Sequence, residues 1–314
     1  MSVSTLPSMW APVERARAGL TFDRTVPRQL VHRASVTEVF LTDGAQVASG
    51  RFLVGAQWPR HHSLYHPDQS GRCDFMLLAE TVRQAGIFLM HRFYDVPLGR
   101  HFVFKSLDLH IDDLDALRVG DTPLGAVLDV SVTATGRPDG SRFDAQLDVT
   151  IEVGGQPCAR SSVAVVMVDA RRYEVVRHRG RDLTDVATVT PPATCSAAPV
   201  IAGRQDANVL LRTAADADST TWLLHVDLQH PGYFEHPSDH VPGMMLLEAF
   251  RQAGHLTAAS GCSLTSLEAR FRSFGELFQS ITIRSSAGPS GLLRLTAAQG
   301  ERTLAEADAL FIRD

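Results

Sequence analysis

Lysine is all but missing from this chain of 314 residues. Lys105 is the only one, so arginine supplies the rest of the 30 Lys and Arg residues. Anions will be met mostly by forked guanidinium groups, which suit phosphate and carboxylate. Cysteine is scarce as well. Cys73, Cys158, Cys195 and Cys262 are scattered, with no C-x-x-C pair, which argues against a disulfide framework or a metal site. No stretch of about 18 uninterrupted apolar residues occurs, so no membrane span is expected. Residues Met1 to Trp10 lack a basic start followed by an apolar run. A secretory signal is therefore not expected, and the reading is cytoplasmic. There is no excess of positive charge either: the net charge is −5 and the pI about 6.2. Without an overall cationic field, nucleic acid is an improbable partner.

What is present is a duplication. Met76-Leu-Leu-Ala-Glu80-Thr-Val-Arg83-Gln84-Ala-Gly86 and Met244-Met-Leu-Leu-Glu248-Ala-Phe-Arg251-Gln252-Ala-Gly254 share their Glu, Arg, Gln, Ala and Gly, each pair 168 positions apart. One long period seen twice is a duplicated domain rather than a solenoid. The length allows two domains, each able to bury a core, and the composition, 44% hydrophobic and 21% charged, is that of a globular protein. In both copies Glu, Arg and Gln fall at i, i+3 and i+4, on one helix face.

The pattern around the helices predicts strands. Residues 1–28 carry three prolines and read as an irregular arm. Strands are expected over 34–42 and 46–57, with a turn at Asp43-Gly44. A polar loop follows, and Asp74 is placed as the N-cap of a helix running to Phe93. Strands are then expected at 101–111, 125–135, 143–153 and 158–168. Residues 177–204 read as an interdomain linker, dividing a first domain at 29–176 from a second at 205–314. The second half repeats the order with strands at 209–212, 220–228, 265–274, 279–285, 292–298 and 303–312. Strands, one long helix, then an antiparallel run describe an α+β fold in which a sheet wraps a buried helix.

A histidine-rich loop precedes each helix. His66-Pro67 lies 14 positions before Glu80, and His236-Pro237 lies 12 before Glu248. An imidazole beside a carboxylate is a kit for proton transfer, although a loop histidine can equally be a cap. A carboxylate midway along an apolar helix is costly unless paired. A structural Glu–Arg pair explains one copy; two copies, each keeping Gln and Ala-Gly, point further toward function.

These residues carry a resemblance. The stretch from Tyr233-Phe-Glu-His-Pro through His240-Val-Pro-Gly243 to Glu248-Ala-Phe-Arg251-Gln252 looks like the hotdog superfamily. It is similar to the dehydratases acting on acyl-carrier-protein thioesters, which carry a His-Phe-Pro-Gly loop before a Glu-Ala…Gln helix. The Arg-Gln duplication, with Gln29-Leu-Val-His32-Arg33, Pro97-Leu-Gly99, His101-Phe102 and Glu268-Ala-Arg-Phe-Arg272, narrows this to the AfsA-type hotdog family of A-factor biosynthesis, over residues 28 to 312.

The resemblance implies a tandem hotdog that joins a β-ketoacyl group, held on acyl carrier protein, to dihydroxyacetone phosphate. Closure of that ester with loss of water gives a phosphorylated butenolide, a precursor of γ-butyrolactone, butenolide or furan signals controlling antibiotic production. No cofactor is implied, and monomer or homodimer would serve. Under this reading Glu80 or Glu248 takes or orients the hydroxyl proton. Backbone N–H groups at Gly243 or at Asp74–Phe75 polarise the thioester carbonyl. Arg83 or Arg251, with Arg270, Arg272 or Lys105, holds the phosphate. Gln84, Gln252 and His240 support. Met76, Leu77, Met244 and Met245 line an acyl channel or simply fill the core. By analogy with the dehydratases, His66 pairs with Glu248 and His236 with Glu80, and the pocket around Glu248 and Arg251 is favoured. The competing readings are a dehydratase or thioesterase, and a regulatory hotdog without catalysis.

Overall fold

A computed structural model describes residues 11–178, 195–197, 206–214 and 218–313. The first half comprises helix α1 (Ala11–Gly19), strands β1 (Leu41–Ala48) and β2 (Arg51–Trp58), helix α2 (Phe75–Phe93), strands β3 (His101–Ile111), β4 (Leu124–Gly136), β5 (Arg142–Val153) and β6 (Gln156–Val168), and helix α3 (Ala170–Arg177). The second contains β7 (Cys195–Ala197), β8 (Leu211–Ala214), β9 (Thr221–Leu224), helix α4 (Gly243–Thr257), β10 (Cys262–Phe271), β11 (Thr282–Ala287), β12 (Leu293–Gln299) and β13 (Arg302–Arg313).

The described strands form one antiparallel sheet in the order β1-β2-β4-β5-β6-β3-β10-β13-β12-β11-β9-β8-β7. Burial alternates residue by residue along β4 and β5, the period of a sheet with one face on a core. The halves meet where β3 pairs with β10, with Leu109 opposite Leu267 and Leu107 opposite Ala269. Each half wraps its own long helix, and α2 and α4 touch one another. This is a tandem hotdog.

α2 is a core helix: 16 of its 19 residues are buried, and its buried Glu80, Thr81 and Gln84 are hydrogen-bonded. Its N-terminus is closed by Asp74, whose side chain accepts from the Met76 N–H at 2.7 Å, and His91 and Arg92 sit where its dipole favours positive charge. α4 begins differently. Pro242 is its N-cap and makes no side-chain bond, leaving the first N–H groups of that helix open. The small residue after each Arg-Gln is needed for packing in the second half. A Cβ on Gly254 would lie 2.3 Å from the Phe311 ring.

Several expected boundaries change. The arm over 1–28 is not irregular at 11–19, where α1 forms and ties to the sheet through Arg17 and Glu152 at 2.5 Å. The strand expected from residue 34 starts only at Leu41, because Ser35 caps a 3-10 turn over Val36–Glu38. Asp43-Gly44 is not the hairpin turn. It lies inside β1 beside a register shift, and the turn falls at Ser49-Gly50, with Gly50 at a φ of 69°. The helix α3 was not foreseen. The linker expected over 177–204 lies mostly outside the described residues; its described parts are Arg177 and His178, at the end of α3, and β7, paired with β8.

Candidate active site

The two helix stripes are built alike. In α2, Arg83 forks onto Glu80, with Nε and Nη2 each 2.8 Å from a carboxylate oxygen, and Gln84 Nε2 donates to Oε1 at 2.8 Å. In α4, Arg251 grips Glu248 at 2.8 and 2.7 Å, and Gln252 adds 2.8 Å. The glutamines do a second job. Gln84 accepts from the Phe40 N–H and donates to the Glu38 carbonyl; Gln252 accepts from Leu210 and donates to Asn208. Each locks its helix to the segment entering that half.

The first copy has an addition. Arg33 also reaches Glu80, at 2.5 Å, and holds Glu235 at 3.2 Å through its other nitrogen. Glu235 accepts further bonds from the N–H groups of Ala34 (2.9 Å) and Ser35 (2.6 Å). Charges therefore alternate as Arg83–Glu80–Arg33–Glu235, and this chain carries the second-half loop onto the first-half helix. Glu80 is wholly buried. Burial by itself would raise its pKa, but Arg33 and Arg83 outweigh that and bring it down to about 2. A carboxylate held ionised and spent on two guanidiniums is a weak proton acceptor. The geometry makes Glu80 the anchor of two arginines.

Beside this chain lies a cavity of about 830 Å³ between the halves. Six arginines (33, 83, 100, 177, 272 and 302) and Lys105 border it, and among the described residues no carboxylate does. Its histidines are His32, His101, His236 and His240. Apolar side chains, with Ile87, Phe102, Phe104, Met244, Leu247 and Phe271 among them, complete the lining. Gly243, at the uncapped start of α4, borders it too; a Cβ there would press on the Phe271 ring at 3.2 Å.

The expected site residues divide on this map. Arg83, Arg272, Lys105, His236, His240, Gly243 and Met244 face the cavity. Glu80 and Gln84 lie beneath it. Glu248, Arg251, Gln252 and His66 do not border it, and neither do the core residues Met76, Leu77 and Met245. The cavity is thus built around Arg83 rather than Arg251, against the preference drawn from the sequence. Asp74 and Phe75 fail as carbonyl-polarising positions, because both are buried and the Asp74 carboxylate already occupies that helix end. Arg270 sits outside the cavity, paired with Asp108 across the β3–β10 seam. Arg272 is paired with Glu306, and Lys105 lies 3.4 Å from Asp144.

The loop histidines also sort. His66 and His236 each place Nδ1 near the carbonyl of the following proline, at 3.2 and 3.1 Å. Their neighbours His62 and His230, not singled out in the sequence, are the true equivalents. Each accepts through Nδ1 from two N–H groups of its own loop. His62 and His230 are separated by 168 positions, as are Tyr65 and Tyr233, so the helix period would have found them. His66 and His236 do not keep that spacing. His240 is engaged with Asp239 at 2.6 Å, and burial pushes its imidazole below the usual range. Arg33, Arg100, Arg177, Arg302, Tyr65 and Tyr173 were also missed. α3 brings Tyr173 and Arg177 to the rim, where both bond Asp239.

Comparison with known proteins agrees with this architecture. A family model described as the A-factor biosynthesis hotdog domain matches residues 16–169 and again 187–312. The chain belongs to the AfsA family. Its relatives include proteins named 2-oxo-3-(phosphooxy)propyl 3-oxoalkanoate synthase. That of Streptomyces virginiae is 34% identical over 89% of this chain and 95% of its own length. That of Streptomyces coelicolor is 33% identical over 87% and 86%. Among solved structures, an acyl-ACP thioesterase from Bacteroides thetaiotaomicron superposes with a TM-score of 0.52 at 11% identity, covering 83% of this chain and 98% of that one. At that identity the likeness concerns the fold alone.

Proposed function

We infer that this AfsA-family chain is an acyltransferase: it joins a 3-oxoacyl group, presented as a thioester on acyl carrier protein, to the hydroxyl of dihydroxyacetone phosphate. The product is a 2-oxo-3-(phosphooxy)propyl 3-oxoalkanoate, the name its relatives bear. Ring closure with loss of water then leads to a phosphorylated butenolide on the way to γ-butyrolactone-type signals. The observation that carries the reading is the cavity's lining, in which six arginines and a lysine, with no carboxylate among the described residues, stand among apolar side chains. The guanidiniums suit a phosphate, and the apolar side chains suit an acyl chain.

Arg83 is the chief phosphate ligand. Glu80 fixes its Nε and Nη2, leaving the outer edge of the guanidinium for the substrate. The open N–H groups at Gly243 polarise the thioester carbonyl, where negative charge gathers as the hydroxyl adds. An imidazole of the cavity accepts the hydroxyl proton. The new C–O bond forms, the C–S bond breaks, and the thiol leaves with a proton.

A thioesterase or dehydratase needs no second, phosphorylated substrate. Purified protein given a β-ketoacyl thioester with and without dihydroxyacetone phosphate decides between them by mass spectrometry. The phosphorylated ester or butenolide is expected only with both substrates. Equal thioester consumption with the phosphate substrate left out would overturn the reading.

A further inference from the structure

His32 belongs to the Gln29-to-Arg33 motif, whose histidine the account above leaves without a task. It borders the cavity, and its backbone is left-handed, with a φ of 53°. That conformation is uncommon outside glycine and collects at functional sites. A 3-10 turn enforces it, as the His32 N–H closes onto the carbonyls of Arg28 and Gln29. The ring is aimed by two contacts. Its Nε2 lies 2.8 Å from Nε2 of His91, and His91 Nδ1 lies 2.7 Å from the Val96 carbonyl. Phe102 stands edge-on to His32 at 5.0 Å, closing the other side.

The proton positions follow by elimination. A carbonyl only accepts, so His91 carries its proton on Nδ1 and offers a lone pair at Nε2. Burial keeps His91 below the ordinary imidazole range, hence neutral. The proton between the rings is then on His32 Nε2, and His32 Nδ1 is left bare. A carbonyl and a second histidine therefore fix the tautomer of a cavity imidazole, as a carboxylate does in hydrolase triads.

We propose that His32 is the catalytic base of the acyl transfer, with His91 as its positioning residue. The proposal rests on the acyl-transfer reading of the same cavity. His32 Nδ1 takes the proton as the hydroxyl oxygen of the phosphorylated triose bonds to the thioester carbon. It returns that proton to sulfur as the C–S bond breaks, so the step is balanced without a further reactant. The competing groups are spoken for or less well held. Glu80 is buried under Arg33 and Arg83, His101 is stacked on Tyr173 at 3.9 Å, and the Asp239 that touches His240 is drawn away by Tyr173 and Arg177. His236 is exposed, and its contact is to its neighbour's carbonyl. Burial first, then His91, Arg83, His236 and His101, push His32 down to about 3, so the ring is neutral, and a phosphate on Arg83 offsets only the Arg83 share.

The test compares wild type with His32→Asn, which tolerates the left-handed backbone, and with His91→Phe. His32→Asn is expected to lower kcat at least about 100-fold, with the KM for the phosphate substrate changed less than about threefold. Retention of more than a third of kcat overturns the proposal. If wild type makes no ester, the functional reading falls and the base assignment with it. If wild type makes it and His32→Asn keeps more than a third of the wild-type kcat, only the assignment falls. Nitrogen-15 imidazole spectra of the wild type decide independently of activity. A bare Nδ1 and protonated Nε2 on His32, lost in His91→Phe, are expected, and a proton on Nδ1 overturns the proposal.

Discussion

Replacing Glu80 by Gln separates an anchoring carboxylate from a catalytic one. The side chain is wholly buried and receives Arg33, Arg83 and Gln84. Arg33 keeps Glu235 after the substitution, but Arg83 loses the carboxylate on which its fork rests. Removing one partner of a buried ion pair costs about 3–5 kcal/mol, because the remaining charge is left uncompensated. The surviving amide oxygen and the Arg33–Glu235 contact place the expected loss near the low end, about 3 kcal/mol. At roughly 2–4 °C per kcal/mol for domains of this size, Tm should fall by about 6–12 °C. The loosened Arg83 should raise the KM for the phosphate substrate about tenfold, with kcat changing less. Differential scanning calorimetry with steady-state kinetics reads all three. An unchanged Tm together with a kcat loss of 100-fold or more would refute the reasoning, since that is the signature of a lost general base.

Other expectations follow from the same contacts. The folded-state pKa of Glu80, about 2, lies below the ordinary glutamate value of about 4.3. Its contribution to stability is therefore complete above that value and is lost as pH falls toward 2; urea midpoints between pH 5 and 2.5 should fall more steeply for wild type than for Glu80→Gln. Arg83→Lys should raise the phosphate-substrate KM, and Arg83→Ala should raise it more, because a point charge replaces a fork only in part; equal KM values would contradict the assignment. Glu235→Ala should lower stability by about 1–3 kcal/mol, as the carboxylate that accepts from the Ala34 and Ser35 N–H groups and pairs with Arg33 is lost; an unchanged urea midpoint would contradict this. Asp74→Ala should cost about 1 kcal/mol through its helix cap, with KM unchanged.

The duplicated helices were legible because their pattern is local: an apolar run broken by Glu, Arg and Gln on one face. The β4, β5 and β6 strands were legible for the same kind of reason, through alternation and turn residues. The first hairpin was misread because Asp43-Gly44 is a strong turn signal that here sits at a bulge within β1. The arm was misread because Pro12 reads as a breaker, yet it sits in the first turn of α1, where proline is tolerated. The site was half legible. Arg83, His236 and Gly243 come from different halves, and sequence order gives no hint that α2's arginine faces α4's first turn. Glu248 and Arg251 share a local pattern with Glu80 and Arg83 but not the same surroundings, and neither borders this cavity. Arg100 before β3, Arg177 in α3 and Arg302 in β13 are far apart in sequence and come together only around this cavity.

The central claim is that phosphate and acyl group meet between the halves, on Arg83 and the open end of α4. A crystal structure with dihydroxyacetone phosphate bound tests it most directly. The account predicts the phosphate within hydrogen-bond distance of Arg83, with its free hydroxyl turned toward His32 and Gly243. A phosphate seated on Arg251, with the cavity at Arg83 empty, would contradict it.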